Sequence, residues 1–145
     1  MIKSRHIVLL IVVASLVGCN STELAMHSGK RDLDYKTQKA FEKVYFEANK
    51  QKVLKNKDEA LKGYFSSLEI YPESHAAMYQ CAKLLYQLDK FPEALLYAQK
   101  AVNNNEEYNH WYHGQLAQFY SKFGKYELSA AIFSEMVVNE PGERT

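Results

Sequence analysis

The sequence predicts an all-α protein in which three helical hairpins stack side by side. From about Asp34 onward, apolar residues recur at three- and four-residue spacing between short polar breaks, the pattern of a helix with one buried face. No stretch alternates apolar and polar residues at the period of two that a half-buried strand requires. Small residues recur at a fixed interval: Ala48, Ala82 and Ala117 are 34 and 35 residues apart, and Ala60, Ala94 and Ser129 are separated by the same two intervals. Pro72 and Pro141 keep the same register across a middle copy that has Glu106 instead. A helix-turn-helix unit of that length cannot bury its apolar face alone, so copies stack.

The first element lies outside this array. Residues 7–17 are Ile, Val, Leu and Ala broken only by Ser15, and they follow Lys3, Arg5 and His6. Eleven residues are too few to cross about 30 Å of hydrocarbon as a helix, whereas they suit the apolar region of a cleaved secretory signal. The run ends in Leu16-Val17-Gly18-Cys19, which resembles the lipobox of bacterial lipoprotein precursors. That resemblance implies cleavage before Cys19 and acylation of its thiol, such as palmitate, with two or more chains giving a stable anchor. Asn20, where some lipoproteins carry a retention Asp, implies the outer membrane, facing the periplasm, over the inner membrane. The expected organisation is a signal at 1–18, a lipidated tether at 19–33 with no sustained apolar period, and the helical array at 34–145.

Loss of residues 1–18 removes Lys3 and Arg5 and leaves 16 basic against 17 acidic side chains. A protein that lived by phosphate contacts would carry a clustered basic excess, so nucleic acid is not an expected partner. With Cys19 acylated only Cys81 keeps a thiol, which excludes an intramolecular disulfide.

Six helices are expected near residues 35–54, 57–71, 74–88, 91–104, 108–122 and 125–139. Asn56 with Glu59 has capping-box spacing, Ser74 suits an N-cap, Pro92 a first helical position and Gly124 a left-handed stop. The repeated small residues are where paired helices approach closely, and no larger side chain should fit at Ala82 or Ala94.

Length and residue types together resemble the tetratricopeptide repeat, in copies at about 41–74, 75–108 and 110–143. The third copy carries the resemblance best: His113, Leu116, Ala117 and Tyr120, then Gly124, Ser129, Phe133 and Pro141. The second has Met78, Cys81, Ala82 and Leu85, then Ala94, and the first is the most degenerate. The resemblance implies a right-handed superhelix whose concave face is lined by the first helix of each copy. It places Glu42, Tyr45, Asn49 and Lys52 there from the first copy. Ala76, Tyr79, Lys83 and Tyr86 follow from the second, and Trp111, Gly114, Gln118 and Lys122 from the third. Aromatic groups among Lys, Asn and Gln suit an extended peptide or a helix. Tyr45, Asn49, Lys52, Tyr79, Lys83, Tyr86, Trp111 and Gln118 are therefore the candidate partner-binding residues. The repeats that grip chaperone C-termini need basic residues or Asn where this chain has Tyr45, Gln80, Trp111 and Gln115; only Asn49 matches.

Catalytic signals are weak. His110 and His113 near Glu106 and Glu107 are spaced for one helical face, yet read best as a solvent-facing residue and a bulky packing position. Cys81 sits where a small core residue belongs, despite nearby His75. There is no glycine-rich phosphate loop, zinc signature or nucleophile elbow. The expectation is a non-enzymatic envelope adaptor that needs no cofactor or metal and binds a protein or peptide. Its last helix has no polar cap, so Ile132, Met136 and Val137 should stay partly exposed. That leaves open self-association, or a longer envelope protein of which this chain is the front part.

Overall fold

A computed structural model describes residues 33–139. The signal at 1–18, Cys19, the tether up to residue 32, and Pro141 lie outside the described residues. Six helices follow one another, with no strand among the described residues: α1 (Tyr35–Val53), α2 (Lys57–Ile70), α3 (His75–Gln87), α4 (Phe91–Asn103), α5 (His110–Lys122) and α6 (Tyr126–Asn139). Each packs on the next, more extensively within the hairpins α1/α2, α3/α4 and α5/α6 than between them.

Helix α5 starts two residues later than expected because Asn109 caps it, its Oδ1 accepting from the backbone N–H of Trp111 at 3.0 Å and Tyr112 at 3.2 Å. Ser74 caps α3, its Oγ accepting from Ala77 N–H at 3.2 Å. Pro92 is the second residue of α4, after Phe91. The capping box at Asn56 does not form: its amide donates to Gln51 Oε1 at 2.9 Å, and Glu59 pairs with Lys62 at 2.7 Å. Both side chains find partners along the exposed surface and leave the first amides of α2 uncapped.

The small residues sit where the period puts them. Ala48, Ala60, Ala82, Ala94, Ala117 and Ser129 are all buried. Serine is tolerated at the last because Ser129 Oγ donates to the Ala117 carbonyl at 2.9 Å. In the first hairpin the helices approach closely at Gly63, where an added Cβ would lie 2.7 Å from Ala48 Cβ.

The three hairpins turn alike. Lys55, Asp89 and Gly124 have φ of 63°, 59° and 72° and are spaced by the repeat intervals. After each, an N–H closes back on the helix: Asn56 on the Gln51 carbonyl at 3.0 Å, Lys90 on Leu85 at 2.9 Å, and Lys125 on Tyr120 at 2.8 Å. Only Gly124 adopts this conformation without a steric cost.

The two ends of the array differ. On α3, Ala77, Cys81 and Leu84 are buried, as are their equivalents Tyr112, Leu116 and Phe119 on α5. The same positions on α1 are Lys43, Glu47 and Lys50, all exposed. At the far end, Leu61, Tyr64 and Leu68 of α2 are buried or half-buried, as are Leu95, Ala98 and Val102 of α4. Their equivalents on α6, Ala130, Phe133 and Val137, are exposed. Of the three residues expected to stay partly exposed, Val137 is exposed, Ile132 is half-buried and Met136 is buried beside Gly114.

Candidate partner-binding groove

Side chains of α3, α5 and α6 line an open groove of about 930 Å³. Its walls are mainly apolar and aromatic: Tyr79 and Tyr86 on α3, Trp111 and Phe119 on α5, and Phe133 and Met136 on α6. Trp111, in the first turn of α5, is 71% exposed, a large apolar area left facing water. Lys83, Lys122 and His110 add donors, and no Asp or Glu belongs to the lining. Neither lysine pairs with a carboxylate among the described residues.

The candidate residues divide by repeat. Tyr79, Lys83, Tyr86, Trp111 and Gln118 are brought together in this groove, with Gly114 and Lys122. Tyr45, Asn49 and Lys52 are not in its lining; they engage one another and the neighbouring repeat. Asn49 Oδ1 accepts from the buried Tyr64 hydroxyl at 2.8 Å and from Lys52 Nζ at 3.2 Å, while its amide donates to the Tyr45 carbonyl at 3.0 Å. The Tyr45 ring packs 5.5 Å from that of Tyr64. Lys52 also donates to Gln80 Oε1 at 3.1 Å. Partial burial, and secondarily the charge of Lys83, hold the Lys52 ammonium below its ordinary pKa. Glu42 binds Lys39 and Gln38, and Ala76 stays outside the lining.

That comparison exposes a residue the concave pattern passed over. Gln115 occupies the position of Gln80 one repeat on, but the place of Lys52 is taken by Tyr86, whose ring stacks on Phe119 at 4.8 Å. The donor is therefore lost. Gln115 is 9% exposed, its amide donates to the Tyr79 carbonyl at 3.5 Å, and its Oε1 finds no hydrogen-bond partner among the described residues. A buried acceptor left unpaired costs about 1–3 kcal/mol.

The remaining candidates take packing roles. His113 is half-buried, with Nδ1 2.9 Å from the Asn109 carbonyl and its ring against Tyr108; His110 is exposed at the groove. Among the described residues, no group of three or more His, Cys, Asp or Glu side chains is placed to hold a metal ion. Cys81 is fully buried, which pushes its thiol up to about 12 and disfavours the nucleophilic thiolate. His75 meets the Tyr112 hydroxyl at 2.9 Å.

No family model matches the sequence, and no curated protein matches it. Solved structures do. A tetratricopeptide-repeat domain of Arabidopsis OM64 matches with a TM-score of 0.65 at 18% identity, over 74% of this chain and 88% of that one. The first such domain of Spaghetti (RPAP3), solved with the HSP90 peptide SRMEEVD, matches at 0.64 and 19% identity, over 72% and 82% of the two chains. The N-terminal domain of stress-induced protein-1 from C. elegans matches at 0.64 and 16% identity, over 74% and 89%. With the 34-to-35-residue period and the six helices in hairpins, these likenesses identify residues 33–139 as a three-repeat array of the tetratricopeptide-repeat fold.

Proposed function

We propose that this protein is a lipid-anchored adaptor of the bacterial envelope, in which Cys19 ties the chain to the membrane and the α3/α5/α6 groove holds a partner protein. One observation carries the second half: an apolar groove in which Trp111 is uncovered and Lys83 and Lys122 meet no carboxylate among the described residues. Such a surface fits an extended segment carrying an apolar side chain and a carboxylate. Its carboxylate would pair with a lysine and its apolar group cover Trp111. The Spaghetti domain, of the same fold, holds a peptide with two Glu and a C-terminal Asp. The adaptor acts by holding its partner and carries out no reaction. The lipobox-like Leu16-Val17-Gly18-Cys19 and the neighbouring Asn20 support anchoring at the outer membrane, facing the periplasm.

The test is photocrosslinking in cells from the full-length chain. A crosslinker at Tyr79 or Trp111 is expected to trap the same partner, and one at Lys62, exposed on α2, to trap none. Lys83→Glu with Lys122→Glu should lower the yield about tenfold, the effect of losing one to two charge-assisted contacts. No adduct from either groove position, or the same adduct from Lys62, overturns the groove. For the anchor, Cys19→Ser should leave unprocessed precursor and abolish incorporation of labelled palmitate. Unchanged processing in that variant overturns it.

A further inference from the structure

The array shares its charge unevenly. Residues 35–57, which form α1 and the turn after it, hold seven lysines against Glu42 and Glu47, a net +5. Residues 58–139 hold six lysines against ten acidic side chains, a net −4. Glu42 pairs with Lys39 at 2.9 Å and Glu47 with Lys50 at 3.4 Å, while Lys43, Lys55 and Lys57 meet no carboxylate among the described residues. Apolar groups are interleaved with these lysines on one side of α1. Tyr35, Lys39, Lys43, Phe46, Lys50 and Val53 follow one another at spacings of 4, 4, 3, 4 and 3 residues, so they share a face, and all six are exposed. Tyr35 is 75%, Phe46 65% and Val53 77% exposed, and Leu54, next in the chain, 57%. The repeat does not require these apolar groups: Gln80 and Gln115 stand where the first copy has Phe46, and Gln87 and Lys122 where it has Val53. None of the six lines the partner groove.

A helix end that only faces water needs its lysines but not bare rings beside them. Lysines mixed with aromatic and aliphatic groups suit the boundary between anionic headgroups and hydrocarbon: the apolar groups enter it, and the ammonium groups reach back to the phosphates. A second copy of the same face would set lysines against lysines. Lipid is also within reach, since fifteen residues separate Cys19 from Asp34, at most about 50 Å of chain. We infer that α1 lies on the bilayer surface, with Tyr35, Phe46 and Val53 in the headgroup boundary and its lysines on anionic phospholipids. This second membrane contact rests on the lipid-anchored reading, in which an acylated Cys19 holds the chain at the membrane, and it uses none of the groove residues.

The test uses the full-length chain reconstituted into vesicles of phosphatidylglycerol and phosphatidylethanolamine with brominated acyl chains, which quench indole fluorescence at short range. Trp111 is the sole tryptophan, so the parent chain reports the groove, and Phe46→Trp combined with Trp111→Phe reports α1. The indole at position 46 is expected to shift to the blue and be quenched, and that of Trp111 to do neither. Quenching should fall about fivefold or more in phosphatidylcholine vesicles, or with Lys43→Glu and Lys50→Glu together, while flotation with the vesicles and thermal melting stay unchanged. Three results overturn the inference: an unquenched indole at position 46, equal quenching at 46 and 111, or quenching indifferent to both changes of charge. A photocrosslinker at Phe46 that traps a protein in cells, and no lipid, overturns it as well. The anchor is judged separately: quenching without palmitate at Cys19 rejects the anchor alone, and palmitate with an unquenched indole rejects the α1 contact alone.

Discussion

The outer faces of α1 and α6 bound the same array, yet one presents Lys43, Glu47 and Lys50 and the other Ala130, Phe133 and Val137. The interior repeat, α3/α4, keeps both faces apolar because each is covered. The difference teaches that helix amphipathicity here is set by neighbours: an identical repeat position is charged, buried or bare according to what stands beside it.

The largest test of that contrast exchanges the residue types between equivalent positions. Leu84 on α3 is buried and Lys50 holds its place on α1 in water. Leu84→Lys should cost about 4 kcal/mol or more, an unpaired charge in the core, while Lys50→Leu should change stability by no more than about 0.5 kcal/mol. Similar shifts in urea midpoint for the two would erase the distinction between end and interior.

Gly63→Ala is next. Its methyl would meet Ala48 Cβ at 2.7 Å with backbone behind it, so the first hairpin must open, at about 1–3 kcal/mol. A melting temperature unchanged by this substitution would mean that the first hairpin is looser than described.

Smaller effects come from the turns. Gly124→Ala should destabilise by about 1 kcal/mol, and Lys55→Gly, at the same turn of the first repeat, should stabilise by somewhat less than about 1 kcal/mol, because glycine also loosens the unfolded chain. Opposite signs in denaturant titrations are the expected outcome; equal signs would show that the turns are not equivalent.

Cys81 supplies a pH test. Burial raises its thiol from an ordinary 9.0 to about 12, so the folded state binds this proton more tightly than the unfolded chain. Its contribution is fully present below pH 9 and is lost as pH climbs toward 12. Cys81→Ala should flatten the decline in stability over that range, and an unchanged slope would count against a buried thiol.

Much of this was legible because the signals are local or periodic. Helix ends follow from caps, and the alternation of small residues follows from close approach between helices that are neighbours in the chain. Gly63 carries no such mark, since its glycine is required by Ala48 across the hairpin. Lys55 and Asp89 hide because neither is glycine, although their spacing from Gly124 was available to find them. In the groove, the concave pattern led to Tyr79, Lys83, Tyr86, Trp111 and Gln118. It did not foresee that Tyr64, a tyrosine unique to the first copy at that position, draws Asn49 and its neighbours into internal bonds. Nor could it mark Gln115, whose lone acceptor results from the exchange of one donor in the preceding repeat.

Phe133 belongs at once to the groove wall and to the exposed outer face of α6. Free energy gained by covering its ring from one side is no longer available from the other. A contact made on that outer face would therefore alter how the groove holds a partner, and by reciprocity an occupied groove would alter that contact by the same factor.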